Sequence, residues 1–319
     1  MKIDLHTHST HSTGDGKQTL EELLEKGAEE NVGYLSITDH NSIGAHLELN
    51  DKLKKGTLKT NFKGKILTGT ELKYEQGEVL GYGMDIEAFN AAKHPFLQPE
   101  EQMRRWHDYY DGLYKMFTKL GFKLGDYDKL QEEYIKAQKS PSFILLPLLL
   151  QGDNMNISKK LIAGFQGNNI NAKQNNWFRH DCKSPTGEFY VEREMDSLET
   201  ISKAVRAAGG KVFKAHVFLD IKERERVEAF LKYATRQGLI DGLETFYAGF
   251  TPEQINFTRQ YCERTGLLMS GGTDNHILEH KLCTVNNIGS GSNKIIPFTV
   301  LHESVQWINN AKGVDFSSS

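Results

Sequence analysis

Three cysteines in 319 residues, Cys182, Cys262 and Cys283, are too few and too scattered for a disulfide framework or a cysteine-rich metal site. An odd number without ligand spacing fits free thiols in a reducing cytosol. No run of about 18 apolar residues exists, and the most apolar stretch, residues 143–150, carries Pro147, so it is expected to be a buried segment and not a membrane span. Neither sign of charge dominates: the net charge of -3 gives no electrostatic reason to expect a nucleic-acid or membrane-surface binder. What remains is an ordinary soluble composition, 38% hydrophobic and 25% charged. A His-x-His strand stands where a signal peptide would lie, so a cytoplasmic protein with no membrane contact and no obligate protein partner is expected. The length allows one large domain with an insertion or two domains.

That opening stretch, residues 2–8, ends an apolar run in His6-Thr-His8. Alternation along a strand puts His6 and His8 on one side, where two imidazoles can share a cation. Alone the pair is weak, because twelve histidines can produce it by chance. Thr19 and Glu22 then form a capping box ahead of Leu20, Leu23, Leu24 and Ala28 at helical spacing. Strands are predicted at 33–38, ending in Asp39-His40-Asn41, at 65–70, ending in Glu71, and at 78–83 after a turn containing Gly77. Between 91 and 195 the strand rhythm stops. Residues 99–120 form a helical stripe of Met103, Trp106, Tyr110, Leu113 and Phe117, residues 128–138 suit a second helix, and 167–176 read as a polar surface loop. Alternation resumes with a helix capped at Asp196, a strand delivering His216, a strand at 242–246, a helix opening at Thr251-Pro252, and a strand leading to Asp274-Asn-His276. A last helix is predicted at about 300–311.

Candidate ligands thus fall at the ends of several strands: His6, His8, His40, Glu71, His216, Asp274 and His276. In a parallel barrel all strand C-termini open on one face, so distant residues converge there. Mixed imidazoles and carboxylates suit a polynuclear centre of Mn²⁺, Fe²⁺ or Zn²⁺ better than one structural zinc.

In this order, Asp-Leu-His-Thr-His, Thr-Asp-His-Asn, Gly-Thr-Glu, Ala-His, Gly-Leu-Glu and Gly-Gly-Thr-Asp-Asn-His resemble the polymerase and histidinol phosphatase (PHP) superfamily, over residues 1–85 and 196–290. The resemblance implies an α/β fold: a distorted seven-stranded β/α barrel made of residues 1–90 and 196–319, with an inserted, mostly helical subdomain at 91–195. It implies two or three divalent ions and hydrolysis of a small phosphate ester, a nucleoside phosphate or short oligonucleotide, by hydroxide generated at the metals. His6, His8, Glu71 and Asp274 would hold the first ion, Asp15, His40 and His276 the second, and Glu71 with His216 would reach a third. These residues are the expected catalytic set. Two departures stand out. Glu78 occupies a position where the family usually has a histidine, and its carboxylate could still serve as a metal ligand of the third site; the loop carrying Asp15 is slightly longer than usual. The family's Arg-Pro-His segment is missing, which leaves Arg193 as the candidate phosphate contact. Asp4 and Asp39 could orient the neighbouring imidazoles. Two other readings stay open: a metal-dependent amidohydrolase, since those barrels also open with His-x-His, and a degenerate PHP-like nucleotide binder without turnover, motivated by Glu78 and the missing segment.

Overall fold

A computed structural model describes residues 2–12, 15–137, 140–221, 223–277 and 306–317. Cys283 and residues 300–305 of the predicted last helix lie outside them. The chain separates into two compact units, one of residues 1–97 with 195–319, the other of residues 98–194.

The first unit holds nine strands among the described residues: β1 (Lys2–Thr7), β2 (Val32–Ile37), β3 (Lys65–Leu67), β4 (Gly69–Tyr74), β5 (Gly77–Tyr82), β6 (Lys211–Lys214), β7 (Gly242–Tyr247), β8 (Leu268–Gly272) and β9 (Gly313–Asp315). They form two sheets, ordered β1-β2-β3-β9 and β4-β5-β6-β7-β8. The pairs β1/β2, β2/β3, β6/β7 and β7/β8 are parallel, whereas β4/β5, β5/β6 and β3/β9 are antiparallel. Strands that bury both faces read as near-continuous apolar runs, and β1, with only Lys2 exposed, is such a strand. The sheets meet at strand ends through single bridges, Thr7 to Asn275 and His40 to Glu71.

The expectation of one strand over 65–70 is corrected here. The run breaks at Thr68, whose Oγ1 donates to the Met84 carbonyl while its backbone N–H donates to Lys312. Glu71 therefore sits inside β4 and not beyond a strand end. The purely parallel arrangement gives way for a local reason as well: only Glu75 and Gln76 separate β4 from β5, too short a connection for a parallel crossover. Strand β9 was not expected; it covers the open edge of β3.

Helices follow the caps. Leu20–Glu29 begins with the Thr19/Glu22 capping box, and Pro252–Thr265 with a reciprocal box between Thr251 and Gln254. The helix Leu198–Ala207 is capped by Ser197, not Asp196: the Ser197 side chain accepts from the Thr200 N–H. Leu5, Leu67, Leu80, Tyr82, Phe213 and Ala215 form one buried cluster drawn from both sheets, and Ile201, Val205, Val227 and Leu231 belong to a second that joins helices to strands.

The second unit is helical. Pro99–Lys119 buries Tyr109, Tyr110, Leu113 and Phe117, while Met103 and Trp106 are partly buried against the same cluster. Residues 167–176, expected as a surface loop, largely form the helix Ile170–Trp177, because Asn169 caps the Ala172 N–H and Trp177 inserts into the core. Residues 143–150 are only partly buried: Leu145 and Leu149 are in the core, but Phe143 is 67% exposed. No helix among the described residues is long and apolar enough to cross a membrane.

Candidate metal centre

The ends of β1, β2, β6 and β8, with the middle of β4, deliver the predicted side chains to one place. His6 and His8 have ring centroids 5.1 Å apart, and His8 stacks on His276 at 4.1 Å. Asp274 follows β8 in a left-handed conformation, φ 55°, that non-glycine residues rarely adopt. Its backbone N–H donates to the His6 carbonyl at 2.8 Å, which stitches the loop to β1. Gly272 is required at this crossing, since a Cβ there would lie 2.4 Å from the His6 Cβ.

Around these backbones the donor atoms form overlapping groups within metal-binding reach of one another: His6, His8, Glu71 and Asp274; His8, Asp15, His40 and His276; and, with more carboxylate character, His40, Glu71 and Glu78, and Glu78, His216 and Asp220. Glu71 is the hub. Its Oε2 lies 3.3 Å from His6 Nε2, 3.5 Å from His8 Nε2 and 2.9 Å from His40 Nδ1, and its Oε1 is 2.8 Å from His216 Nε2. Asp274 Oδ1 is 3.0 Å from His8 Nε2 and 3.3 Å from His6 Nε2. Asp15 Oδ2 is 3.1 Å from His40 Nε2 and 3.4 Å from His276 Nε2. His11, by contrast, pairs with Glu48 at the surface.

Charge tells the same story. Burial lowers His8, to about 3, with the like charge of His40 adding to it. Burial opposes protonation of His40 too, but the Glu71 and Asp15 carboxylates outweigh it and push it up to about 10; His216 is pushed up to about 9, mainly by Glu71. His6 is likewise raised against its burial by Glu244, Glu71 and Asp274. The carboxyls of Glu71, Asp274 and Asp15 are held below their usual range by these imidazoles, although burial resists. Protons thus do the work that divalent ions can do here, and ion binding would release them. The donor set fits such ions: His6 Nε2 and Glu71 Oε2 are buried and make no hydrogen bond, an arrangement that is costly unless a cation joins them.

Supporting contacts fix these donors. Glu244 was legible only as part of a motif, yet its Oε1 is 2.8 Å from His6 Nδ1 and its Oε2 accepts the His216 backbone N–H at 2.8 Å. This aims His6 Nε2 inward. The Tyr247 hydroxyl is 3.0 Å from Asp274 Oδ2, a contact that nothing in the sequence pattern signalled. Asp39 accepts from the Ser9 backbone and hydroxyl at 2.6 and 2.7 Å, and burial pushes its carboxyl up to about 6. Asp4 holds the Thr273 N–H and hydroxyl at 3.0 and 2.7 Å. Arg193 belongs to the helical unit, where its guanidinium lies over the Tyr109 ring, 5.8 Å from the centroid.

Residues 4–146 match the family model of the PHP domain. His6, His8, Asp15, His40, Glu71 and Glu78 lie within the matched residues, and His216, Asp274 and His276 reach the centre from beyond them. Among curated proteins the chain is similar to the 5'-3' exoribonuclease Rnm of Salmonella typhimurium, 31% identical over 104 residues, and to that of Escherichia coli, 30% identical over 103. These alignments cover 32% of this chain and 33% of each relative, so the chain spans about a third of the length of the curated relatives it matches. Two solved structures share the fold. An amidohydrolase from Chromobacterium violaceum, with bound sulfate and no metal, superposes with a TM-score of 0.56 at 21% identity over 88% of this chain and 90% of that one. A protein from Bifidobacterium adolescentis, classed as a metal-dependent phosphoesterase, gives 0.50 at 20% identity over 92% of both chains.

Proposed function

We propose that this chain is a metal-dependent phosphoesterase whose two sheets are the halves of a distorted β/α barrel and whose centre, at the strand ends, hydrolyses a phosphate ester of a nucleotide or short oligonucleotide. The observation that carries the reading is the Glu71 carboxylate, buried and surrounded by imidazole nitrogens of three strand-end histidines, with Asp274 and Asp15 completing two donor groups. His6, His8, Glu71 and Asp274 would hold one ion, and Asp15, His40 and His276 a second, with His8 within reach of both. Mixed nitrogen and oxygen donors suit Mn²⁺, Fe²⁺ or Zn²⁺. Ions bound there would lower the pKa of a water and neutralise phosphoryl oxygens during in-line displacement.

The chain's own part is to position and to set charge. Glu244 holds the His6 ring so that Nε2 faces the centre, and Tyr247 holds one Asp274 oxygen so that the other faces His6 and His8. Asp39 and Asp4 fix the backbones that follow β1 and β8, through Ser9 and Thr273. Arg193, on the helical unit, is the candidate contact for a substrate phosphate. The short-oligonucleotide part of the proposal draws on the exoribonuclease relatives, whose matched region includes only a third of their length. The test is phosphate or nucleotide release from mononucleotides, phosphomonoesters and short oligoribonucleotides, before and after chelation. Metal-independent release, or hydrolysis confined to amide and lactone substrates, would overturn the proposal.

A further inference from the structure

We propose that the third ion implied by the family resemblance does not bind here, and that the Lys73 ammonium, paired with Glu78, supplies its positive charge. The inference rests on the two-ion reading above and deepens it.

Glu71 and Lys73 lie two residues apart on β4 and so face the same side of the sheet. Lys73 is directly opposite Glu78 in the antiparallel pairing with β5, where opposite charges on facing residues attract. Lys73 Nζ is 3.5 Å from Glu78 Oε1; that oxygen is 3.6 Å from His40 Nδ1, and Oε2 is 3.4 Å from His216 Nε2. The carboxylate that replaces the family's histidine therefore already carries an ammonium. Asp220, the other carboxylate near His216, is occupied too. Its Oδ2 accepts from the buried Lys214 Nζ at 2.5 Å and from the Glu78 backbone N–H at 3.3 Å. Lys214 gives its two remaining protons to the Glu78 and Ala215 carbonyls, both at 2.9 Å, so all three of its donors are used. A Cβ at residue 77 would lie 2.2 Å from Asp220 Oδ2, so Gly77 lets this carboxylate lie against the β4–β5 turn.

Two lysines thus neutralise the two carboxylates that set this group apart. Of the donors left over, Glu71 and His40 belong to the first two groups, and His216 remains as a single imidazole beside Glu71. A dication placed there would meet two fixed positive charges and, apart from the Glu71 carboxylate already shared with the first group, no uncompensated negative one. Lys73 is 36% exposed, so its ammonium remains accessible to an anion entering the centre. Unlike an ion, it does not exchange or respond to chelators.

Metal content tests this directly. Wild-type, Lys73→Met and Lys73→Arg proteins are saturated with MnCl₂, desalted and analysed by mass spectrometry, and bound ions are located by anomalous scattering. The expected contents are about two ions per chain in wild type and Lys73→Arg, and about three in Lys73→Met, the added ion beside Glu78 and His216. Three ions in wild type, or an unchanged content in Lys73→Met, would overturn the inference while leaving the metal centre standing. A wild type that binds none would overturn the metal centre itself, and this inference with it.

Discussion

At the residue scale, His8 is the pivot, because it belongs to both of the first two donor groups. His8→Ala is expected to strip both ions and to lower phosphate release by more than the roughly 10–100-fold that loss of an outer hydrogen-bond partner costs. Glu244→Gln is that milder case: manganese affinity, measured calorimetrically, should fall about 10–100-fold with the fold intact. The two residues were unequally legible. His8 announces itself by spacing along one strand, but Glu244 acts on a ring 238 positions away, which only the folded chain brings within 2.8 Å. Tyr247 was hidden for the same reason, 27 residues before the carboxylate it holds. Protonation gives a third prediction. In metal-free protein His40 and His216 are raised, to about 10 and about 9, above an unfolded value of about 6.5. Their contribution to stability is full below pH ~6.5 and is lost as pH rises through 9 to 10. His8, lowered to about 3, acts oppositely, contributing above pH ~6.5 and losing that contribution as pH falls toward 3. Thermal melts of chelated protein should therefore fall between pH 7 and 10 and recover when manganese replaces the protons. A flat profile would contradict this charge assignment.

At the element scale, caps and crossings locate the strand ends. Thr251→Ala removes a reciprocal cap and should cost about 1 kcal/mol, read as a lower melting temperature. Gly272→Ala forces a Cβ against the His6 backbone, and should cost about 1–3 kcal/mol while displacing His6 and weakening metal binding. The capping boxes at Thr19 and Thr251 were legible because their donors and acceptors lie within four residues. The break between β3 and β4 was not, because it depends on Thr68 contacting Met84 and Lys312. Strand β9 depends on an equally distant partner, β3. The helix Ile170–Trp177 was obscured by composition: an asparagine-rich run reads as loop until Asn169 caps it and Trp177 is buried.

At the scale of the whole molecule, the order of strands and ligands was readable, since β–α alternation brings strand ends together whatever lies between them. The residues that choose a substrate were not. The candidate phosphate contact, Arg193, comes from the helical unit, where no motif continues and only an apolar stripe could be read. On the proposed reading, one centre, assembled from both ends of the chain, makes phosphoester hydrolysis depend on metal. Its most direct test is product release from mononucleotides and short oligoribonucleotides by manganese-loaded protein, by the same protein after chelation, and after manganese is restored. Release that disappears on chelation and returns with the ion is the predicted result; release that persists without metal, or none from any phosphate ester when loaded, would contradict it.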